Sequence, residues 1–127
     1  MQEYEPVILV VDDTEDNLDL LEFALKRKPV KMLRATSGQE CLVIAEAKRP
    51  DIILLDIQMP EMDGFETLKR LRANPATTKI PVVFLTAQRK DAESIAAHVL
   101  RRLGDPSLDD TGYTEVIVQL TLHPDRE

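Results

Sequence analysis

Three short runs of this sequence are apolar throughout, with no alternation between apolar and polar residues. They are VILVV at 7–11, IILL at 52–55 and VVFL at 82–85, and they are rich in β-branched residues and leucine. A strand without a polar face has to be covered on both sides. The runs restrict the fold strongly, because a sheet buried on both faces needs helices in the segments between its strands.

Those segments carry the start and stop signals of helices. The first helix is predicted between Thr14, as its N-cap, and Pro29; the second begins at the capping box 37–40, the third near Asp63, and a fourth covers about 91–103. The apolar residues with helical spacing that we expect to face the sheet in the first and third helices are Leu18, Leu21, Leu25, Phe65, Leu68 and Leu71.

A further strand is predicted at 31–35, so strands alternate with helices along most of the chain. This order is typical of βαβ units, which form a parallel sheet with helices on both faces. In such sheets ligands bind at the carboxyl ends of the strands. The functional residues are therefore expected directly after the strands.

Polar side chains stand at these positions: Asp12 and Asp13 after the first strand, Asp56 after the third and Thr86 after the fourth. A single aspartate there is usually a helix cap or a turn former, but the helix after Asp56 begins several residues later. Three neighbouring carboxylates repel one another unless a cation neutralises them. Mg²⁺ prefers oxygen ligands and is often completed by phosphate oxygens, and a carboxylate beside it can attack a phosphoryl group.

The composition and net charge of the chain limit the kinds of molecule that it can bind. The 127 residues, 43% hydrophobic and 31% charged, suit one globular domain, and a net charge of −7 argues against direct binding to nucleic acid or to an anionic membrane. The apolar stretch near the N-terminus lacks the basic flank of a signal peptide, and no run is long enough to span a membrane. The single cysteine, Cys41, is compatible with a reducing compartment, so we expect a cytoplasmic protein.

Three stretches, VILVVDDTEDN, DIILLDIQMPEMDGFE and IPVVFLTA, resemble the receiver domain of two-component response regulators in order and spacing. The resemblance implies a flavodoxin-like doubly wound α/β fold of three layers. It also implies transfer of a phosphoryl group from a histidine kinase or a phosphotransfer protein onto one aspartate. Gly64 belongs to the turn that supports the site in this family, where glycine is free of the Cβ penalty.

By position, the resemblance gives Asp56 the role of phosphoryl acceptor. Asp12, Asp13 and Asp56 would serve Mg²⁺, with the backbone carbonyl of Gln58 as a further ligand. Thr86 resembles the switch hydroxyl that moves to contact the phosphoryl group.

The C-terminal part departs from the family, in which the fifth strand ends in a Lys-Pro pair whose ammonium contacts the phosphoryl group. This sequence has no Lys-Pro, and the only lysine after Thr86 is Lys90. We expect a receiver core at 1–103 and an atypical segment at 104–127, in which the fifth βα unit is degenerate or rearranged.

Residues 116–122 in this segment alternate as an edge strand does, although a helix also fits the pattern. An uncovered edge strand invites pairing with another chain. We therefore expect a homodimer, or an exchange of this tail between two chains, through the surface formed by the fourth helix and this last strand.

Three functions fit these residues. The first is a phosphorylated receiver with altered switching, and the second is a receiver-like module that binds proteins without being phosphorylated. The third, a Mg²⁺-dependent phosphohydrolase, needs a second aspartate two residues after the nucleophile, where this chain has Gln58. That class therefore ranks last.

Overall fold

Strands and helices alternate along the chain in a computed structural model that describes residues 5–85 and the strand 114–116. The elements, in chain order, are β1 (Val7–Val11), α1 (Glu15–Leu25), β2 (Lys31–Ala35), α2 (Gly38–Lys48), β3 (Ile52–Asp56), α3 (Gly64–Ala73), β4 (Val82–Leu85) and β5 (Thr114–Val116). The helix predicted at 91–103 and residues 117–122 lie outside the described residues. None of the described helices is both long enough and apolar enough to cross a membrane.

The strands form one sheet in the order β2-β1-β3-β4-β5, and every described pair is parallel. The chain moves from β1 to one side for β2 and to the other side for β3, so the strand order reverses between β1 and β3. Such a reversal opens a crevice at the carboxyl ends of the strands. In the register of these two strands Val11 is paired with Leu55, which sets the residues after them side by side.

The core lies on both faces of the sheet, as the unbroken apolar runs predict. On one face, Ile8, Val10 and Leu54 pack with Leu18 and Leu21 of α1. The opposite face packs against α2 and α3, and its buried residues include Leu9, Val11, Ile53, Leu55, Cys41, Ala45 and Leu71. The predicted arrangement of helix, sheet and helix layers is therefore confirmed.

The helix starts predicted from capping signals are also confirmed. The Ser37 hydroxyl accepts a hydrogen bond from the Glu40 amide at 3.1 Å, and the Asp63 carboxylate accepts one from the Glu66 amide at 2.9 Å. Thr14 occupies the N-cap of α1 but makes no side-chain cap there.

Two details of the sequence prediction were wrong. Phe65, expected to face the sheet, is 57% exposed, and its ring meets that of Phe84 edge to face with centroids 5.1 Å apart. It is the second residue of α3, and more than half of its surface stays exposed although it contacts Phe84 of β4. In addition, β3 continues one residue further than its apolar run, because Asp56 pairs with Leu85 and the Ile57 amide donates to the Leu85 carbonyl at 3.2 Å.

Candidate functional site

Three carboxylates meet at the carboxyl ends of β1 and β3. Asp12 and Asp13 follow β1, Asp56 is the last residue of β3, and one oxygen from each lies within 4.8 Å of the others. Asp12 is fully buried and Asp56 is 8% exposed, whereas Asp13 is exposed. The three carboxylates therefore form an acidic site that is open to solvent on the side of Asp13.

The Asp12 carboxylate is held by neighbours at the start of α1. Its Oδ1 accepts a hydrogen bond from the Thr14 amide at 2.9 Å, and the Asn17 side-chain amide donates to Oδ1 and Oδ2 at 3.3 and 3.2 Å. The Asp12 backbone amide donates to the Ala35 carbonyl at 3.0 Å. These bonds offset the cost of burying a charged group and fix its orientation.

Sequence reasoning missed Asn17. The available signal was its place in DDTEDN, in the first turn of the helix that begins beside Asp12. An amide at this spacing can reach back to the carboxylate, but an exposed polar residue would give the same pattern. Only the partial burial of Asn17 and its contacts distinguish the two.

The Asp56 carboxylate is oriented by the turn that follows β3. The Gln58 backbone amide donates to Asp56 Oδ1 at 3.2 Å, an arrangement typical of an Asx turn, while the Gln58 side chain is exposed. The carboxylate is therefore fixed by backbone as well as by its place at the end of the strand.

The loop between β3 and α3 folds back onto the end of β3. The Gly64 amide donates to the Ile57 carbonyl at 2.8 Å, and a Cβ at position 64 would lie 2.6 Å from the Asp56 carbonyl oxygen. Within this loop Glu61 has a positive φ of 69°, and the side chains of Met59 and Met62 are buried. The close approach at Gly64 is what allows α3 to begin beside the site.

Thr86, the fourth predicted site residue, lies outside the described residues, as does Lys90. Within the described part, β4 ends at Leu85, which is paired with Asp56. The switch role of Thr86 stays a prediction.

The donor chemistry of the site suits a hard divalent cation. All three side chains offer carboxylate oxygens, and Mg²⁺ prefers oxygen while retaining several of its waters. Without a cation, carboxylates this close repel one another. Asp12, Asp13 and Asp56 therefore fit Mg²⁺ in both charge and ligand type.

Comparison with known proteins agrees with these features. The family described as the response regulator receiver domain matches residues 8–102. The response regulator PleD of Caulobacter vibrioides is 48% identical over 80 residues, which are 63% of this chain and 18% of PleD. The chain thus spans less than a fifth of that relative.

Solved structures give the same fold. The N-terminal domain of a response regulator receiver protein from Methanoculleus marisnigri matches with a TM-score of 0.63 and 36% identity, covering 87% of this chain and 82% of that one. The receiver domain of sensor histidine kinase PA1611 from Pseudomonas aeruginosa has a TM-score of 0.72 and 21% identity, covering 80% of this chain and 100% of that one. That structure has a magnesium ion coordinated in its active-site cleft.

Proposed function

This chain belongs to the response regulator receiver domain family, and from that premise we propose that Asp56 accepts a phosphoryl group in a Mg²⁺-dependent reaction. The donor would be a histidine kinase or a phosphotransfer protein. The observation that carries the proposal is that carboxylate oxygens of Asp56, Asp12 and Asp13 lie within 4.8 Å of one another. They do so at the edge of the sheet where the strand order reverses between β1 and β3.

The proposed metal ligands are Asp12, Asp13 and Asp56, together with the backbone carbonyl of Gln58. Bound Mg²⁺ would neutralise the carboxylates and stabilise the charge on the phosphoryl oxygens during transfer. Asp13 would bind the ion from the solvent-exposed side of the site, and Asp12 would bind it from the buried side.

In the proposed reaction an Asp56 carboxylate oxygen attacks the phosphorus of a phosphohistidine. The new O–P bond forms as the P–N bond breaks, the imidazole nitrogen keeps the electron pair, and the product is an acyl phosphate on Asp56. The Gln58 amide restrains the rotation of the attacking carboxylate. Such restraint lowers the entropic part of the barrier.

Labelling with acetyl phosphate and Mg²⁺ tests this function. We expect the intact mass to rise by one phosphoryl group, and peptide mapping to place that group on Asp56. Excess EDTA should abolish the adduct, and Asp56→Asn, which keeps the side-chain volume, should not form it. A wild-type protein that gains no phosphoryl group, or gains it equally in Asp56→Asn, would contradict the proposal.

For the readout of phosphorylation, we propose that the Thr86 hydroxyl contacts the phosphoryl group and that switching is altered. Thr86 is proposed because it directly follows Leu85, which is paired with Asp56. Altered switching is proposed because the segment 104–127, after the core at 1–103, lacks the Lys-Pro pair of the receiver family. A Thr86→Ala variant should still form the adduct on Asp56 but lose the conformational response.

The lost lysine also favours a second function, a receiver-like module that binds a protein partner without phosphorylation. Lys90 is the only lysine after β4, so the family's phosphoryl-contacting cation has no counterpart at its usual place in the sequence. Failure of wild-type labelling, combined with partner binding that Asp56→Asn leaves unchanged, would favour this second function.

A further inference from the structure

The side-chain amide of Asn17 spans both oxygens of the buried Asp12 carboxylate. Its Nδ2 lies 3.3 Å from Oδ1 and 3.2 Å from Oδ2, and the Thr14 backbone amide reaches Oδ1 at 2.9 Å. Asn17 itself is partly buried. All three contacts come from the start of α1, so this end of the helix sets the plane of the carboxylate.

The position of Asn17 is itself fixed by packing. Its backbone amide donates to the Thr14 carbonyl at 3.1 Å, and Leu18 and Leu21 on the same helix are buried against the sheet. On the outer side, Arg34 of β2 pairs with three carboxylates of α1, namely those of Glu15, Asp19 and Glu22. The backbone of Asn17 is therefore held beside Asp12, at a distance from which its side-chain amide reaches the carboxylate.

The chemistry of the donor matters as much as its position. An amide donates hydrogen bonds without carrying a charge, so it orients Asp12 and leaves the negative charge of the carboxylate in place. A lysine or an arginine at this position would neutralise the charge and compete with a cation. Asn17 therefore combines orientation with an intact attraction for a metal ion.

We infer that Asn17 is a positioning residue that presents Asp12 to the divalent cation held by Asp12, Asp13 and Asp56. This inference rests on the proposed function, because it assigns Asn17 a role toward the proposed Mg²⁺ site. Residues that orient metal ligands commonly change metal affinity by about 10-fold to 100-fold when they are replaced.

The test is the Mg²⁺ dissociation constant of two variants, measured by isothermal titration calorimetry. Asn17→Ala removes the amide and shortens the side chain, whereas Asn17→Leu removes the donor and keeps a branched side chain with the same number of non-hydrogen atoms. We expect both variants to bind Mg²⁺ about tenfold more weakly. Leu20→Ala, at an exposed position of the same helix, is the control and should bind like the wild type.

A second readout separates positioning from a general structural role. In labelling with acetyl phosphate, the Mg²⁺ concentration that gives half the maximal rate should rise about tenfold in both Asn17 variants. Their maximal rate at saturating Mg²⁺ should stay at the wild-type value, because the acceptor Asp56 is unchanged.

The outcomes distinguish this inference from the proposed function. If the wild type binds Mg²⁺ and both Asn17 variants bind it equally well, the role of Asn17 is wrong while the proposed site stands. If only Asn17→Ala is weakened, the side chain acts through its volume and the inference also fails. A wild-type protein that does not bind Mg²⁺ overturns the proposed function and the inference together.

Discussion

At the scale of single residues, the central feature is a set of three carboxylates that would separate if they were free. Asp12, Asp13 and Asp56 are held within 4.8 Å by the backbone of two adjacent strands. The hydrogen bonds from Thr14, Asn17 and the Gln58 amide orient two of them without removing their charge. The fold therefore retains electrostatic repulsion at this edge that a bound cation would relieve.

Replacing Asp13 by asparagine should make this repulsion measurable. In EDTA we expect Asp13→Asn to raise the free energy of unfolding by about 1 kcal/mol, the size of a contact between like charges near solvent. Urea denaturation measures it. Asp16→Asn is the matched control: Asp16 is also exposed but lies in the first turn of α1, where losing a negative charge should slightly destabilise the helix.

Added Mg²⁺ should make the wild type more stable than Asp13→Asn, the reverse of the order expected in EDTA. The wild type gains stability by binding the ion, whereas Asp13→Asn has lost a ligand and gains less. An Asp13→Asn variant that is less stable than the wild type in EDTA would contradict the idea of stored repulsion.

Cys41 gives a prediction about alkaline pH. Burial raises the pKa of this thiol from 9.0 to about 12. Below pH 9 the thiol is protonated in both the folded and the unfolded chain. Above it the unfolded chain loses the proton while the folded chain keeps it, so stability falls with rising pH by about 1.4 kcal/mol per unit.

The Cys41→Ala variant isolates this effect from the other alkaline titrations. Its free energy of unfolding should fall less steeply than that of the wild type between pH 9 and 10, in urea denaturation under reducing conditions. Parallel curves for the two proteins would show that the native thiol titrates normally.

At the scale of elements, the junction of β3 with α3 shapes the site. Gly64→Ala would place a Cβ 2.6 Å from the Asp56 carbonyl oxygen and 2.8 Å from the Ile57 Cα, and both are backbone atoms that cannot rotate away. We expect a loss of about 1–3 kcal/mol of unfolding free energy, as for other forced overpacking. The Mg²⁺ affinity should also fall, because relief of the clash moves the end of β3. An unchanged stability would mean that the loop adjusts freely.

Most elements could be predicted because their signals are local. The apolar runs gave β1, β3 and β4, and the Ser37 and Asp63 caps marked two helix starts. Where the prediction failed, a distant partner decided the outcome. Asp56 extends β3 because of its ladder with β4, and the exposure of Phe65 depends on where α3 meets the sheet.

The candidate site divides in the same way. The meeting of Asp12, Asp13 and Asp56 could be predicted because parallel strands align their carboxyl ends. Asn17 could not be singled out, since an exposed polar residue in the first turn of α1 would give the same sequence pattern, and only its partial burial and its contacts distinguish the two.

At the scale of the whole molecule, the described sheet ends at β5, the strand Thr114–Val116 paired in parallel with β4. An edge strand that nothing covers can pair with another chain. The homodimer through the fourth helix and the C-terminal strand stays a prediction. It should appear as a mass near twice that of the chain in light scattering at high concentration.

A charged substitution in the predicted strand 116–122 tests whether this strand forms the dimer interface. Val118→Lys should lower the apparent mass toward that of a monomer, because a lysine on an edge discourages pairing. A wild-type protein that remains monomeric at high concentration would contradict the dimer.

The most direct test of the phosphoryl site is a crystal structure of the chain with Mg²⁺ and beryllium fluoride. We predict beryllium bonded to a carboxylate oxygen of Asp56 and Mg²⁺ bound among Asp12, Asp13, Asp56 and the Gln58 carbonyl. A structure with beryllium absent from Asp56, or with Mg²⁺ bound away from the three carboxylates, would contradict the assignment of Asp56 as phosphoryl acceptor.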